Sequence, residues 1–295
     1  MKLQLSRETE ILELAEDVAN EDCVTGRVCP TRVCTAKGIR LVHESYGEKK
    51  FDGMLVYQAG TWIILCNIDN GNLPGSSRER FTISHELGHY HIPEHRRLLM
   101  AGQKPHGSQA GAFDEDGRPE EFEADTFAAN FLMPPARFVP RILALRQKPM
   151  EVILLLRKEF DTSLESTAIQ GLRHDARIVA IAKWNETKLG WRWISDKFFH
   201  ETGYRRFLLN DREQLPDGCA TLAALNDSDS QFDSAVRESV ATAAFCFGRV
   251  AAGGYRDILL REQAVRNGRF GVIVIYSVLE ETISPKGQQQ SGRRA

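Results

Sequence analysis

A chain of 295 residues, 42% hydrophobic and 26% charged, has the make-up of a globular protein with a sizeable core, which excludes disorder along its whole length. Its length exceeds one typical domain, so a principal domain with one or two smaller companions is expected. With 38 basic and 40 acidic residues the formal net charge is -2, and no global field favours nucleic acid or an anionic membrane.

No stretch approaches the roughly 18 consecutive apolar residues of a membrane span, and the opening Met1-Lys2-Leu3-Gln4-Leu5-Ser6 lacks the apolar run of a secretion signal, so a cytoplasmic location is expected. The cysteines Cys23, Cys29, Cys34, Cys66, Cys219 and Cys246 form no C-x-x-C pair. They are expected to be reduced and mainly structural, with the cluster Cys23, Cys29 and Cys34 as the place to look for redox or second-metal chemistry.

In chain order, Ile11, Leu14, Ala15 and Val18 recur at helical spacing and predict an amphipathic helix over about 7–20. Short apolar runs at 39–42, 53–57 and 62–66 predict a small sheet, with Ala59-Gly60 as a hairpin turn. The loop from Asn67 to Ser77 leads to a helix capped by Ser76 or Ser77 and stopped by Pro93. Glycines and prolines across 101–119 predict a loop, and a helix follows over about 120–132, ending at Met133-Pro134-Pro135. Apolar periodicity at Val152, Leu155, Leu156 and Phe160, a break at Asp161-Thr162-Ser163, and periodicity again at Ala168, Ile169 and Leu172 predict a helix-turn-helix-like pair. Beyond Ala176 the runs 178–182, 191–194 and 270–275 read as strands, with a helix covering part of 233–247, so this end is a small α+β domain. The polar tail 285–295 reads as disordered.

The segment His85-Glu86-Leu87-Gly88-His89 carries the chemistry. Histidines four apart on a helix project from one face and can share one zinc ion, with Glu86 beside them to take a proton from water. Chance places H-E-x-x-H in a chain of this length on the order of one or two times in a hundred, so the motif needs a partner. A hydrolytic zinc site needs a third protein ligand, and the helix at Glu120-Glu121-Phe122-Glu123-Ala124-Asp125 offers one. Glu121 and Asp125 are four apart: the first can ligate while the second accepts a hydrogen bond from a ligating imidazole. His95, at metzincin-like spacing from His89, competes for the third position, as do Glu120 and Glu123; Ile92 stands where the metzincin turn requires glycine. Tyr90, His91 and His95 are candidates for stabilising an oxyanion, although His91 points off the ligand face.

The run Arg80-Phe81-Thr82-Ile83-Ser84-His85-Glu86-Leu87-Gly88-His89 and the run from Glu121 to Pro134, with the strands at Gly38–Val42 and Asp52-Gly53-Met54, resemble the ImmA/IrrE family of metallopeptidases over roughly residues 8–175. The resemblance implies a gluzincin-like zinc peptidase core with His85, His89 and Glu121 as ligands and Glu86 as base. It further implies cleavage of a specific transcriptional repressor, often a helix-turn-helix protein, and it invites comparison of the C-terminal part with a GAF-like domain. The organisation expected is therefore α+β: a peptidase domain over 1–140, the helical segment over 141–175, and a sensory or substrate-docking domain over 176–284. Two rival functions are a DNA-binding regulator using residues 149–174, whose Arg157, Lys158, Arg173 and His174 are offset by Glu159, Asp161 and Glu165, and a zinc protein that holds a partner without cutting it. The pair Trp191 and Trp193 is expected on one buried face of a sheet, with a partner surface as the alternative.

Overall fold

The computed structural model describes residues 5–22, 26–48, 50–102, 118–202, 207–227, 235–247 and 258–279. The polar tail, Cys23 and most of the 101–119 loop lie outside these. The fold is mixed α+β and divides into two compact units, Met1–Arg146 with Val152–Gln170 and Gln147–Glu151 with Gly171–Ala295. No helix among the described residues is long and apolar enough to cross a membrane.

The first unit opens with α1 (Leu5–Asp22) and a seven-residue helix α2 (Pro30–Ala36), followed by β1 (Arg40–Glu44), β2 (Gly53–Gln58) and β3 (Thr61–Asn67). The sheet order is β1-β3-β2: β1 runs parallel to β3, and β2 forms the expected hairpin with it through Ala59 and Gly60, both at positive φ. Then come α3 (Ser77–His91), α4 (Pro93–Met100), α5 (Pro119–Leu132) and α6 (Pro135–Ala144). The core joins Ile11, Ala15 and Val18 of α1 to Leu55, Ile64 and Cys66 of the sheet, Ile83 and Leu87 of α3, and Phe127 and Phe131 of α5. This is the apolar stripe expected of α1, completed by faces on three other elements.

The helix pair is present as α7 (Pro149–Phe160) and α8 (Leu164–His174), with Asp161 in the turn at φ 54°. Of its apolar positions Val152, Leu156, Phe160 and Ala168 are buried, Ile169 and Leu172 are half-buried and Leu155 is exposed; Phe160 meets the ring of Phe138 at 5.4 Å, and Thr162 Oγ1 lies 2.7 Å from Thr167 Oγ1. Arg80 of α3 donates from Nε to the Asp161 carbonyl at 3.0 Å and from Nη2 to the Val28 carbonyl at 2.9 Å, so the helix that carries His85 and His89 is tied to the α7–α8 turn.

The second unit contains β4 (Ile178–Trp184), β5 (Leu189–Ile194), α9 (Asp196–Thr202), α10 (Ala220–Leu225), β6 (Arg237–Thr242), α11 (Ala243–Phe247), β7 (Leu259–Arg266) and β8 (Val272–Val278). The sheet is antiparallel with order β5-β4-β8-β7-β6. The stretch expected to be helical in part is helix only over Ala243–Phe247; residues 237–242 form a strand paired with β7 from Arg237↔Ala264 to Thr242↔Leu259. Strand β7 was not expected, because Leu-Leu-Arg-Glu-Gln-Ala-Val-Arg has too many polar residues to read as buried strand. Glu262 on this strand is nonetheless buried and satisfied: it accepts from Ala220 N at 3.2 Å, Thr221 N at 3.3 Å, Ser239 Oγ at 2.5 Å and the Thr221 hydroxyl. Trp191 and Trp193 lie half-buried on one face of the edge strand β5, alternating with exposed Gly190 and Arg192.

Candidate metal centre

Helix α3 begins where Ser76 Oγ accepts from Glu79 N at 3.1 Å, the cap expected of one of the two serines. The Glu79 carboxylate turns back to accept from Gly75 N at 2.6 Å and stands 2.6 Å from His43 Nε2, fixing the helix start against β1. Pro93 ends α3 as expected, but it also opens α4 at the first helical position, where its missing N–H costs nothing. His95 therefore lies on a second helix rather than in a loop.

Two glycines set how close neighbouring elements approach. A Cβ on Gly88 would lie 3.1 Å from Ala124 Cα and 3.2 Å from its carbonyl oxygen, so α3 and α5 cross almost backbone to backbone. A Cβ on Gly53 would lie 2.5 Å from Thr82 Cγ2 and 2.8 Å from Glu86 Oε1, so β2 presses directly on the Glu86 side chain.

The crossing brings together the residues that the sequence nominates. His85 Nε2 and His89 Nε2 are 3.1 Å apart, and Glu121 places Oε2 at 3.3 Å from the first and Oε1 at 3.5 Å from the second. His85, His89 and Glu121 thus form a group of donors able to hold one metal ion. Zinc with N and O ligands at roughly 2.0–2.2 Å in a tetrahedron has ligand–ligand edges of roughly 3.3–3.6 Å, so this set fits it. Charge points the same way: Glu86, Glu121 and Asp125 surround two imidazoles in a site where His85, His89 and Glu86 are all buried. An anionic, desolvated pocket of this kind calls for a cation.

The other ring nitrogens are also committed. His85 Nδ1 lies 2.8 Å from Asp125 Oδ1. Burial alone would disfavour a charged His85, but Asp125 and Glu121 outweigh it and hold its proton affinity well above that of an ordinary histidine. His89 Nδ1 lies 3.1 Å from His95 Nδ1, and His95 Nε2 lies 3.2 Å from Glu123 Oε2. Burial, and then His89, push His95 down to about 4. His95 and Glu123 therefore pair with one another on the far side of the His89 ring from Glu121, while Glu120 lines the neighbouring cleft. With both nitrogens occupied, His95 is also poorly placed as an oxyanion donor. His91 faces away as expected, its ring stacked 5.8 Å from Phe127, and Tyr90 packs edge-on against Trp62.

Beside Glu86 opens a cleft of about 320 Å³ lined by Leu55, His89, His95, Leu98, Leu99, Arg118 and Glu120. Of the cysteines, Cys34, Cys66, Cys219 and Cys246 are buried, and burial raises the Cys34 thiol to about 12 and Cys219 to about 11, as suits protonated core thiols. Sequence reasoning missed α4, the inward pairing of His95, and Arg7, whose guanidinium reaches Glu123 from α1.

A helix carrying two histidines, crossed by a second helix that supplies a glutamate, gathers a set of donors able to hold a single metal ion. Residues 34–170 match the model of the peptidase M78 family, the IrrE N-terminal-like domain. A search of curated proteins finds no match. Among solved structures, a Mycobacterium tuberculosis transcriptional regulator is similar with a TM-score of 0.55 and 13% identity, over 94% of this chain and 92% of that one; at this identity the likeness is one of fold.

Proposed function

We propose that this protein is a zinc-dependent endopeptidase in which His85, His89 and Glu121 hold the metal, Glu86 is the general base and Asp125 orients His85. The observation that carries the reading is the convergence of both Nε2 atoms and the Glu121 carboxylate within 3.5 Å of one another, with Glu86 buried alongside. When bound, zinc supplies Lewis acidity that polarises the scissile carbonyl and acidifies a water molecule. Glu86 takes the proton from the attacking water and delivers it to the leaving amine nitrogen. Gly53 and Thr82 confine the Glu86 side chain, so the carboxylate is held at one position rather than swinging into the cleft. Asp125 accepts a hydrogen bond from Nδ1–H of His85 and so leaves the Nε2 lone pair to ligate. Leu55, Leu98 and Leu99 give the adjoining cleft an apolar wall for a substrate side chain.

The M78 match supports a gluzincin-like core and a protein substrate, for which a helix-turn-helix repressor in the cytoplasm, controlling stress-response genes, is our reading. In the second unit a cavity of about 330 Å³, lined by Cys219, Glu262 and Tyr276 among others, supports a sensory role, and its five-stranded antiparallel sheet with short helices supports the GAF-like comparison. The test is cleavage of a repressor encoded beside this gene by wild type and Glu86→Gln, with zinc content measured in both. Cleavage by wild type, reduced about 10²- to 10⁴-fold in a variant that still holds zinc, is expected. Full cleavage by the variant removes the mechanism, and zinc uptake without cleavage by wild type favours a non-cleaving binding protein.

A further inference from the structure

The metal-facing nitrogens of the site are Nε2 on both histidines, and each ring is steered by what its Nδ1 meets. For His85 the partner is the carboxylate of Asp125, 2.8 Å away on the crossing helix α5. His89 meets another imidazole at 3.1 Å, and this pairing has a fixed logic. If His89 uses the Nε2 lone pair toward the metal, its Nδ1 carries the proton and donates, so His95 Nδ1 must accept. A neutral ring that accepts at Nδ1 carries its proton at Nε2, and there Glu123 Oε2 lies 3.2 Å away to receive it. Glu123 in turn is held by Arg7, whose Nε donates to Oε1 at 3.1 Å and whose Nη2 donates to Oε2 at 2.8 Å, a bidentate fork from a different helix. The same guanidinium also reaches Glu94 at 3.1 Å, immediately before His95 on α4. His95 and Glu123 are both buried, so the bond between them forms away from bulk water.

We propose that Arg7, Glu123 and His95 form a relay of positioning residues that sets the tautomer and orientation of His89, making the N-terminal helix α1 part of the metal centre. The relay rests on the reading of His85, His89 and Glu121 as zinc ligands, and it assigns to His95 and Glu123 a role distinct from ligation. Arg7 acts at two points: its fork holds the Glu123 carboxylate aimed at His95, and through Glu94 it holds the first turn of α4, which carries His95. The relay thus joins α1, α4 and α5 to the second histidine of α3.

The experiment measures zinc affinity of the full-length chain by competition with a chromophoric chelator, for wild type, His95→Ala, His95→Asn and Arg7→Ala. Removing an outer partner of a ligating histidine typically lowers metal affinity about 10- to 100-fold, and that loss is expected for His95→Ala. Arg7→Ala shifts affinity in the same direction by a smaller factor. His95→Asn recovers part of the loss, because its amide oxygen stands near the place of Nδ1 and restores the acceptor. Cobalt-substituted samples add a readout that loose packing would not mimic: the visible bands of His95→Ala move, and those of His95→Asn return toward wild type. Thermal unfolding of the metal-free proteins separates folding from binding, and Arg7→Ala keeps the test open if His95→Ala does not fold. Equal zinc affinities, within twofold, for wild type, His95→Ala and Arg7→Ala would overturn the relay. A wild type that fails to take up one zinc per chain defeats the metal-centre reading itself, and the relay with it.

Discussion

Asp125 and His85 meet across the α3–α5 crossing, Oδ1 to Nδ1, at 2.8 Å, so a carboxylate on one helix fixes the ring of a histidine on the other. Asp125→Ala removes the acceptor without touching Glu121. Zinc affinity is expected to fall about 10- to 100-fold, measured by chelator competition, with cleavage falling in step at limiting zinc. An unchanged affinity would mean that packing alone orients His85.

Gly53 has no room for a side chain. In Gly53→Ala the new methyl must displace Thr82 and the Glu86 carboxylate, and overpacking of this kind costs about 1–3 kcal/mol. Thermal denaturation should report that loss, and kcat should fall further than stability explains, because the residue pushed aside is the proposed base. A variant with native stability and native kcat would show that Glu86 has freedom the contact denies it.

Removing the metal should destabilise the protein. Without a cation the Glu86 and Glu121 carboxylates share a desolvated site, and with it the folded state gains about 4 kcal/mol at a free zinc concentration a thousandfold above Kd. Addition of EDTA should therefore lower Tm. Glu121→Gln should abolish the difference between zinc-loaded and chelated samples while leaving the chelated protein at least as stable as chelated wild type.

His91 supplies a pH dependence separate from catalysis. Burial, together with Lys37, lowers it to about 4, whereas an unfolded chain binds a proton near the ordinary histidine value of about 6.5. The unfolded state therefore holds more protons between these values. This contribution to stability is present above about pH 6.5 and is lost as pH falls toward 4. His91→Phe, which preserves the stack on Phe127, should flatten the acid limb of the stability curve between those limits in urea titrations. An unaltered acid limb would place the titration elsewhere.

Much of the first unit was legible because its signals are local. Ser76 caps, His85 and His89 repeat at four residues, and Glu121 and Asp125 repeat at four on the next helix, so each pattern closes within one or two turns. The helices α2, α4 and α6 were not, since each opens with proline and is only seven to ten residues long, too short for periodicity to register. Strand β7 escaped because its buried Glu262, Gln263 and Arg266 are satisfied by partners far away in sequence, such as Thr221 and Leu225. His95 shows the limit most clearly. Its spacing from His89 suits a ligand as well as a support, and only the direction of a ring nitrogen, set by Glu123 and a residue as distant as Arg7, separates the two.

The backbone contact between Gly88 and Ala124 has a consequence for how such a chain tolerates change. Glu121 reaches the histidines because two helices interlock at that point, not because a particular number of residues separates them. A side chain at position 88 would therefore part the two helices and draw Glu121 away from both histidines at once, so a single added methyl there would undo a site to which it contributes no ligand.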